Sequence, residues 1–160
     1  MKTFSRKRSF AMALAVALSA VAGCKSTSTA PPAPASEAAT PAVAAVTQLV
    51  ALSGANEVPP VNTPATATGS VTINADRTVS ARIVASGMTA TAAHIHLGAA
   101  GTNGPVIVPF TQTLDNTFIA DGTPRLTVEQ YAAFKAGNTY VNVHSDAHKS
   151  GEIPAQLKGN

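Results

Sequence analysis

From Thr47 to Leu157 the chain is interrupted again and again by Gly, Pro, Asn or Asp, and the stretches between are short and rich in Val, Ile and Thr. β-branched residues fit a pleated, half-buried surface, and turn residues at roughly eight-to-twelve-residue spacing are the pattern of a β-sandwich or barrel. The expected strands are Thr47 to Leu52, Gly69 to Asn74, Val79 to Ala85, Ala92 to Leu97, Val106 to Thr111, Thr117 to Ala120, Thr139 to Ser145 and Glu152 to Leu157. Ala75-Asp76-Arg77 reads as a hairpin turn between two of them. The one helical signal is Thr127-Val128-Glu129-Gln130, a capping box flanked by Leu126 and Tyr131 as a hydrophobic staple. Gly137 then ends a helix of about nine residues. The folded domain is therefore expected over 46–160, with one core.

The segment before it has a different character. A basic start (Lys2, Arg6, Lys7, Arg8), an apolar run from Phe10 to about Ala22 and small residues before Cys24 are the three parts of a cleavable export signal over 1–23. The apolar run is shorter than the about 20 residues that a permanent membrane span requires. Val21-Ala22-Gly23-Cys24 resembles a lipobox, so Cys24 is the expected lipidation site, with the anchor making the membrane the first partner. Lys25 rather than Asp after the cysteine resembles, in a Gram-negative host, sorting to the outer membrane, with the domain facing the periplasm or otherwise in the cell envelope. Residues 24–45 reduce almost entirely to Ser, Thr, Ala and Pro, which present no apolar face and read as a tether reaching roughly 25 Å. Cys24 is the chain's one cysteine, so no internal disulfide can form.

The net charge of +3 does not carry over to the mature protein. Four of the eleven basic residues lie in the signal, leaving seven against eight acidic ones. With no basic stripe and no aromatics interleaved with Lys or Arg, the electrostatic attraction that dominates nucleic-acid binding is missing, and no nucleic-acid partner is expected.

The candidate chemistry lies in the histidines. In Ala93-His94-Ile95-His96-Leu97 the two-residue alternation sends Ala93, Ile95 and Leu97 to one face and both histidines to the other. In Tyr140-Val141-Asn142-Val143-His144 the same alternation turns Val141 and Val143 inward and His144 outward with Asn142. If the two strands are neighbours, His94, His96 and His144 meet on one outer face at metal-ligand distance. His148 is a candidate fourth nitrogen and Asp146 a carboxylate. A His-x-His pair alone also occurs on solvated strand faces, so the alternative is a set of plain surface histidines. Imidazoles without thiolate suit copper(II), zinc or nickel, with copper(II) tightest and zinc the alternative; a blue-copper centre would need a cysteine in the domain. Glu57, Asn142 and Glu152 are candidates to support the ligands from behind, although Glu57 is expected to cap or pair locally at an edge. The Gly-rich run from Gly98 to Gly104 lacks a phosphate loop's Lys and following helix, and reads as a loop hugging the site. Nothing marks a hydrolase.

Three separated segments, Leu52 to Val61 (LSGANEVPPV), Ala93 to Ile107 (AHIHLGAAGTNGPVI) and Tyr140 to Leu157 (YVNVHSDAHKSGEIPAQL), together resemble the chordin-type (CHRD) domain family over residues 47 to 158. The resemblance implies a β-sandwich and supplies no settled biochemical activity. Where the family reads Glu-Ile-Arg-Gly-Gln-Leu, this chain has Pro154 in place of the basic residue. A more distant resemblance is to copper-zinc superoxide dismutase, an immunoglobulin-like Greek-key barrel whose copper ligands also come from a His-Val-His strand and a later Val-Val-His strand. His94, His96 and His144 match those positions. The bridging histidine, the zinc ligands, the disulfide pair and the guiding arginine have no counterpart, so fast dismutation is not expected.

The fold class expected is thus an all-β Greek-key or immunoglobulin-like sandwich with one short helix. The functional expectation is an envelope lipoprotein holding a mononuclear metal, copper first, for buffering or delivery. A non-catalytic adhesive module with a protein partner is the alternative, a dismutase-like redox enzyme the third.

Overall fold

The computed structural model describes residues 44–159. The signal over 1–23, Cys24 and the tether up to residue 43 lie outside the described residues. Nine strands and one helix follow: β1 (Ala45–Ser53), β2 (Thr66–Asn74), β3 (Thr78–Ser86), β4 (Ala90–Leu97), β5 (Val106–Pro109), β6 (Thr111–Leu114), β7 (Thr117–Arg125), α1 (Val128–Lys135), β8 (Thr139–Ser145) and β9 (Ile153–Leu157). They form a five-stranded sheet in the order β1-β2-β3-β7-β6 and a four-stranded sheet in the order β5-β4-β8-β9, with every pairing antiparallel. The chain is an all-β sandwich.

Alternation builds the core between the sheets. Leu52, Val71, Ile73, Val79 and Ile83 point inward from the large sheet, and Ile95, Val141, Val143, Ile153 and Leu157 from the small one, all essentially inaccessible to water. Phe118 of β7 and Phe134 of α1 are the largest buried side chains. At one flank Gln48 of β1 substitutes for a ladder residue: its amide pairs with the backbone N–H and C=O of Lys158, joining an edge of the large sheet to the end of β9.

Two local expectations hold in detail. At the hairpin, Arg77 takes φ 75° and its N–H bonds Asn74 O at 2.8 Å, while Asp76 accepts from the Thr78 N–H. The capping box of α1 is complete, with Gln130 N–H donating to Thr127 Oγ1 at 3.2 Å and Thr127 N–H donating to Gln130 Oε1 at 2.9 Å.

One strand expectation is corrected. The run from Val106 to Thr111 is not one strand; it divides at Phe110, with β5 in the small sheet and β6 in the large one. Pro109 has no N–H to extend a ladder, and the Phe110 N–H makes the last bond to β4, at Ala93 O, before the chain crosses. Pro154 sits in β9, where an edge strand tolerates a residue that cannot donate.

Candidate metal centre

β4 and β8 are neighbours, in a register that sets Ala92 opposite His144, His94 opposite Asn142 and His96 opposite Tyr140. The three histidines therefore share the face of the small sheet that points away from the core. Their ring centroids lie 4.8 Å (His94–His144), 5.6 Å (His94–His96) and 5.6 Å (His96–His144) apart. One nitrogen from each falls within 4.8 Å of the others, close enough to hold a metal ion. An ion with metal–nitrogen bonds of about 2.0–2.1 Å places its ligand nitrogens roughly 3 to 4 Å apart, so the cluster needs only a small contraction.

This outward face is not open to water. His96 and His144 are each 6 % exposed and Asn142 only 1 %, and His94 is half-buried. Three connections cover it: the segment after β1, the loop after β4 and the turn after β8. Each makes a bond that fixes a side chain. His96 Nδ1–H donates to the Gly104 carbonyl at 2.9 Å, and His144 Nδ1–H to the Lys149 carbonyl at 3.1 Å. A carbonyl can only accept, so each of these rings carries its proton on Nδ1 and keeps the Nε2 lone pair free. His94 Nδ1 lies 3.0 Å from His144 Nε2, a separation that suits a hydrogen bond or two adjacent ligands on one ion. His96 Nε2 is buried with no hydrogen-bond partner, a state that costs about 1–3 kcal/mol unless a ligand satisfies it.

Electrostatics favour the ligating form. His94 titrates at about 4, below the ordinary imidazole value, because of its burial and then the neighbouring His144 and His96. Burial also lowers His144, against opposing contributions from the Lys149 carbonyl and the Glu57 carboxylate. These imidazoles are neutral at pH 7, the state that binds a metal.

Two buried carboxylates are bonded to side chains of or near β8. Glu57 (6 % exposed) accepts the Val58 N–H at 3.2 Å and Asn142 Nδ2–H at 2.9 Å. Glu152 (4 % exposed) accepts Thr63 Oγ1–H at 2.6 Å and the Ser145 hydroxyl. The expectation of a merely local, edge-bound Glu57 is therefore corrected: it is buried and reaches across 85 residues to Asn142. Nor does it orient a histidine by a direct bond, a task that falls to the two backbone carbonyls.

Of the proposed ligands, His94, His96 and His144 come together, while His148 is not in the group. His148 and Asp146 lie in the turn after β8, where His148 makes backbone bonds to Ser145 and Gly151. Three further residues have supporting roles, and of these only Gly104 carried a sequence signal, as part of its Gly-rich loop. Tyr140 stacks on His96 at 4.9 Å and 12° and accepts the Gly104 N–H at 3.1 Å. Gly104 turns so tightly that a Cβ there would stand 1.6 Å from Leu97 O. Gly151, at φ 142°, leaves room that a Cβ would take from Asn142 Nδ2 and Glu57 Oε2, at 2.2 and 2.6 Å. The loop from Gly98 to Gly104 does hug the site, as its composition suggests.

The family model of the CHRD domain matches residues 49–157. No curated protein and no solved structure gives a significant match.

Proposed function

Because this chain belongs to the CHRD domain family, which fixes its fold and leaves its chemistry to the site, we propose that it is an envelope lipoprotein that holds one metal ion, copper first and zinc as the alternative. His94 Nδ1, His96 Nε2 and His144 Nε2 are the ligands. The observation that carries the reading is the partnerless, buried Nε2 of His96, facing two other neutral imidazoles and locked by the Gly104 carbonyl. An all-imidazole set with no thiolate favours copper(II) over zinc at equal supply. Among the described residues this is the one such ligand group, which supports a mononuclear site. A half-exposed His94 leaves the ion open to exchange, in keeping with buffering or delivery in the envelope, at the end of a tether anchored through Cys24.

Copper(II) titration of the full mature chain, followed by electron paramagnetic resonance, tests this. One tight site with nitrogen hyperfine structure, lost in each of His94→Ala, His96→Ala and His144→Ala but kept in His148→Ala, is the expected result; weak binding insensitive to these changes sinks it. Radiolabelled lipid incorporation that disappears in Cys24→Ala tests the anchor. Superoxide turnover is measured on the copper-loaded chain, and only activity above that of the histidine variants would support the dismutase-like reading.

The adhesive reading draws on a separate observation. Leu49 is 89 % and Val84 41 % exposed on the open face of the large sheet, around Arg82. It predicts a protein partner lost in Leu49→Asp and retained in the histidine variants.

A further inference from the structure

Burying a carboxylate is costly unless a positive charge or a metal offsets it, and neutral hydrogen bonds recover only part of the loss. Glu57 and Glu152 are both more than nine-tenths buried, and all four of their oxygens accept from neutral donors, as ionised carboxylates do. Among the described residues the one ion pair is the exposed Arg125–Asp76 contact at 3.3 Å, so neither buried glutamate has a Lys, Arg or His nitrogen within 4.0 Å.

Both carboxylates are tied to β8, the strand that carries His144. Glu57 binds Asn142, which lies opposite His94 and two residues from His144 on the same face. Glu152 binds Ser145, next in chain to His144, and its own N–H is tied to Val143 O at 3.0 Å. Imidazoles that ligate a metal do so in the neutral form and bring no charge to this enclosure.

We infer that Glu57 and Glu152 are the counter-charges of the three-histidine site, and that together they make it select a divalent over a monovalent cation. Two carboxylates and a divalent ion sum to zero, whereas a monovalent ion leaves one buried negative charge uncompensated. Zinc(II) and copper(II) are favoured over silver(I) and copper(I), so bound copper is held in its oxidised state. The inference rests on the metal site proposed above. Asn142, Ser145 and Thr63 hold the carboxylates in place, and Gly151 leaves room beside the Asn142–Glu57 pair.

The test compares zinc(II) and silver(I), both redox-inert, on the full chain and on Glu57→Gln and Glu152→Gln, each of which keeps shape and removes one charge. Zinc affinity is expected to fall tenfold or more in each variant, while silver affinity changes by less than about threefold. In the copper-loaded protein the reduction potential should rise by about 59 mV for each tenfold shift in the oxidised-to-reduced preference. A purely structural role would weaken both ions alike and leave the potential unmoved, and that result overturns the inference. Should Glu57→Gln fail to fold, Glu152→Gln decides alone. A wild-type chain that binds neither ion refutes the metal site itself, whereas one that binds both with variant-insensitive selectivity refutes only the charge selection.

Discussion

Replacing Asn142 by Ala removes the amide that bonds Glu57 Oε2 at 2.9 Å and leaves that oxygen buried with nothing to accept from. A hydrogen bond to a charged group contributes about 1.5–3 kcal/mol, and the partly collapsed space left by the lost amide adds about 1 kcal/mol. Against this, Asn142 Oδ1 is itself buried without a partner, and its removal returns about 1 kcal/mol. The net expectation is a loss of about 1.5–3 kcal/mol in the metal-free chain, which for a domain of this size lowers the melting temperature by roughly 10 °C. Arg125→Ala is the internal control: it breaks an ion pair whose side chains are 52 % and 41 % exposed, and such pairs contribute under about 1 kcal/mol. Thermal unfolding followed by circular dichroism, with denaturant titration for the free energies, measures both. If Asn142→Ala costs no more than Arg125→Ala, the buried carboxylate is not the expensive group that the argument requires.

Acid should destabilise the metal-free protein before its carboxylates titrate. Unfolded histidines take up protons near pH 6.5 while folded His94 does so only at about 4, so between these values the unfolded chain binds more protons and stability falls as pH drops through the window. A denaturant midpoint unchanged between pH 7 and pH 4.5, or a slope that His94→Gln fails to flatten, contradicts this. Asp76 and Asp121, whose carboxyls are likewise lowered, by bonds from Thr78 and Thr123, act in the same sense at lower pH: their contribution is present above the ordinary carboxylate range and is lost as pH falls below it. Gly104→Ala should push the loop off Leu97 O, free the His96 ring and weaken copper binding about tenfold or more while far-ultraviolet dichroism stays that of the wild type; undiminished affinity would show that the carbonyl does not position the ring. Thr127→Ala should cost about 1 kcal/mol through the lost cap and leave metal affinity untouched, as measured by chemical denaturation and titration.

Local physics made much of this protein readable in advance. Alternation in Ala93 to Leu97 and Tyr140 to His144 assigns each side chain to one of two faces, because a strand's period is two, and those assignments hold for Ile95, Val141 and Val143 in the core and for His94, His96 and His144 opposite. The capping box at Thr127 and the turn at Asp76 are equally local, each satisfied by atoms within a few residues. A proline and one crossing bond split Val106 to Thr111 between two sheets, which no periodicity records, since both halves keep the same strand-like composition.

What the sequence by itself determined is the strand alphabet, the inward and outward faces and the identity of the three histidines. What only the tertiary structure decided is the setting of those histidines. Their face is roofed by three connecting segments, two imidazoles are locked by the carbonyls of Gly104 and Lys149, and the carboxylates of Glu57 and Glu152 are buried on Asn142 and Ser145 of the same strand as His144. Backbone carbonyls exist at every position and leave no sequence mark, and glutamates on a loop are usually solvated, so the sequence offers Glu57 and Glu152 as supporting candidates without showing that they are buried. Their meaning arises when the sheet brings β4 against β8 and the loops close over the pair, excluding the water that would otherwise have screened them.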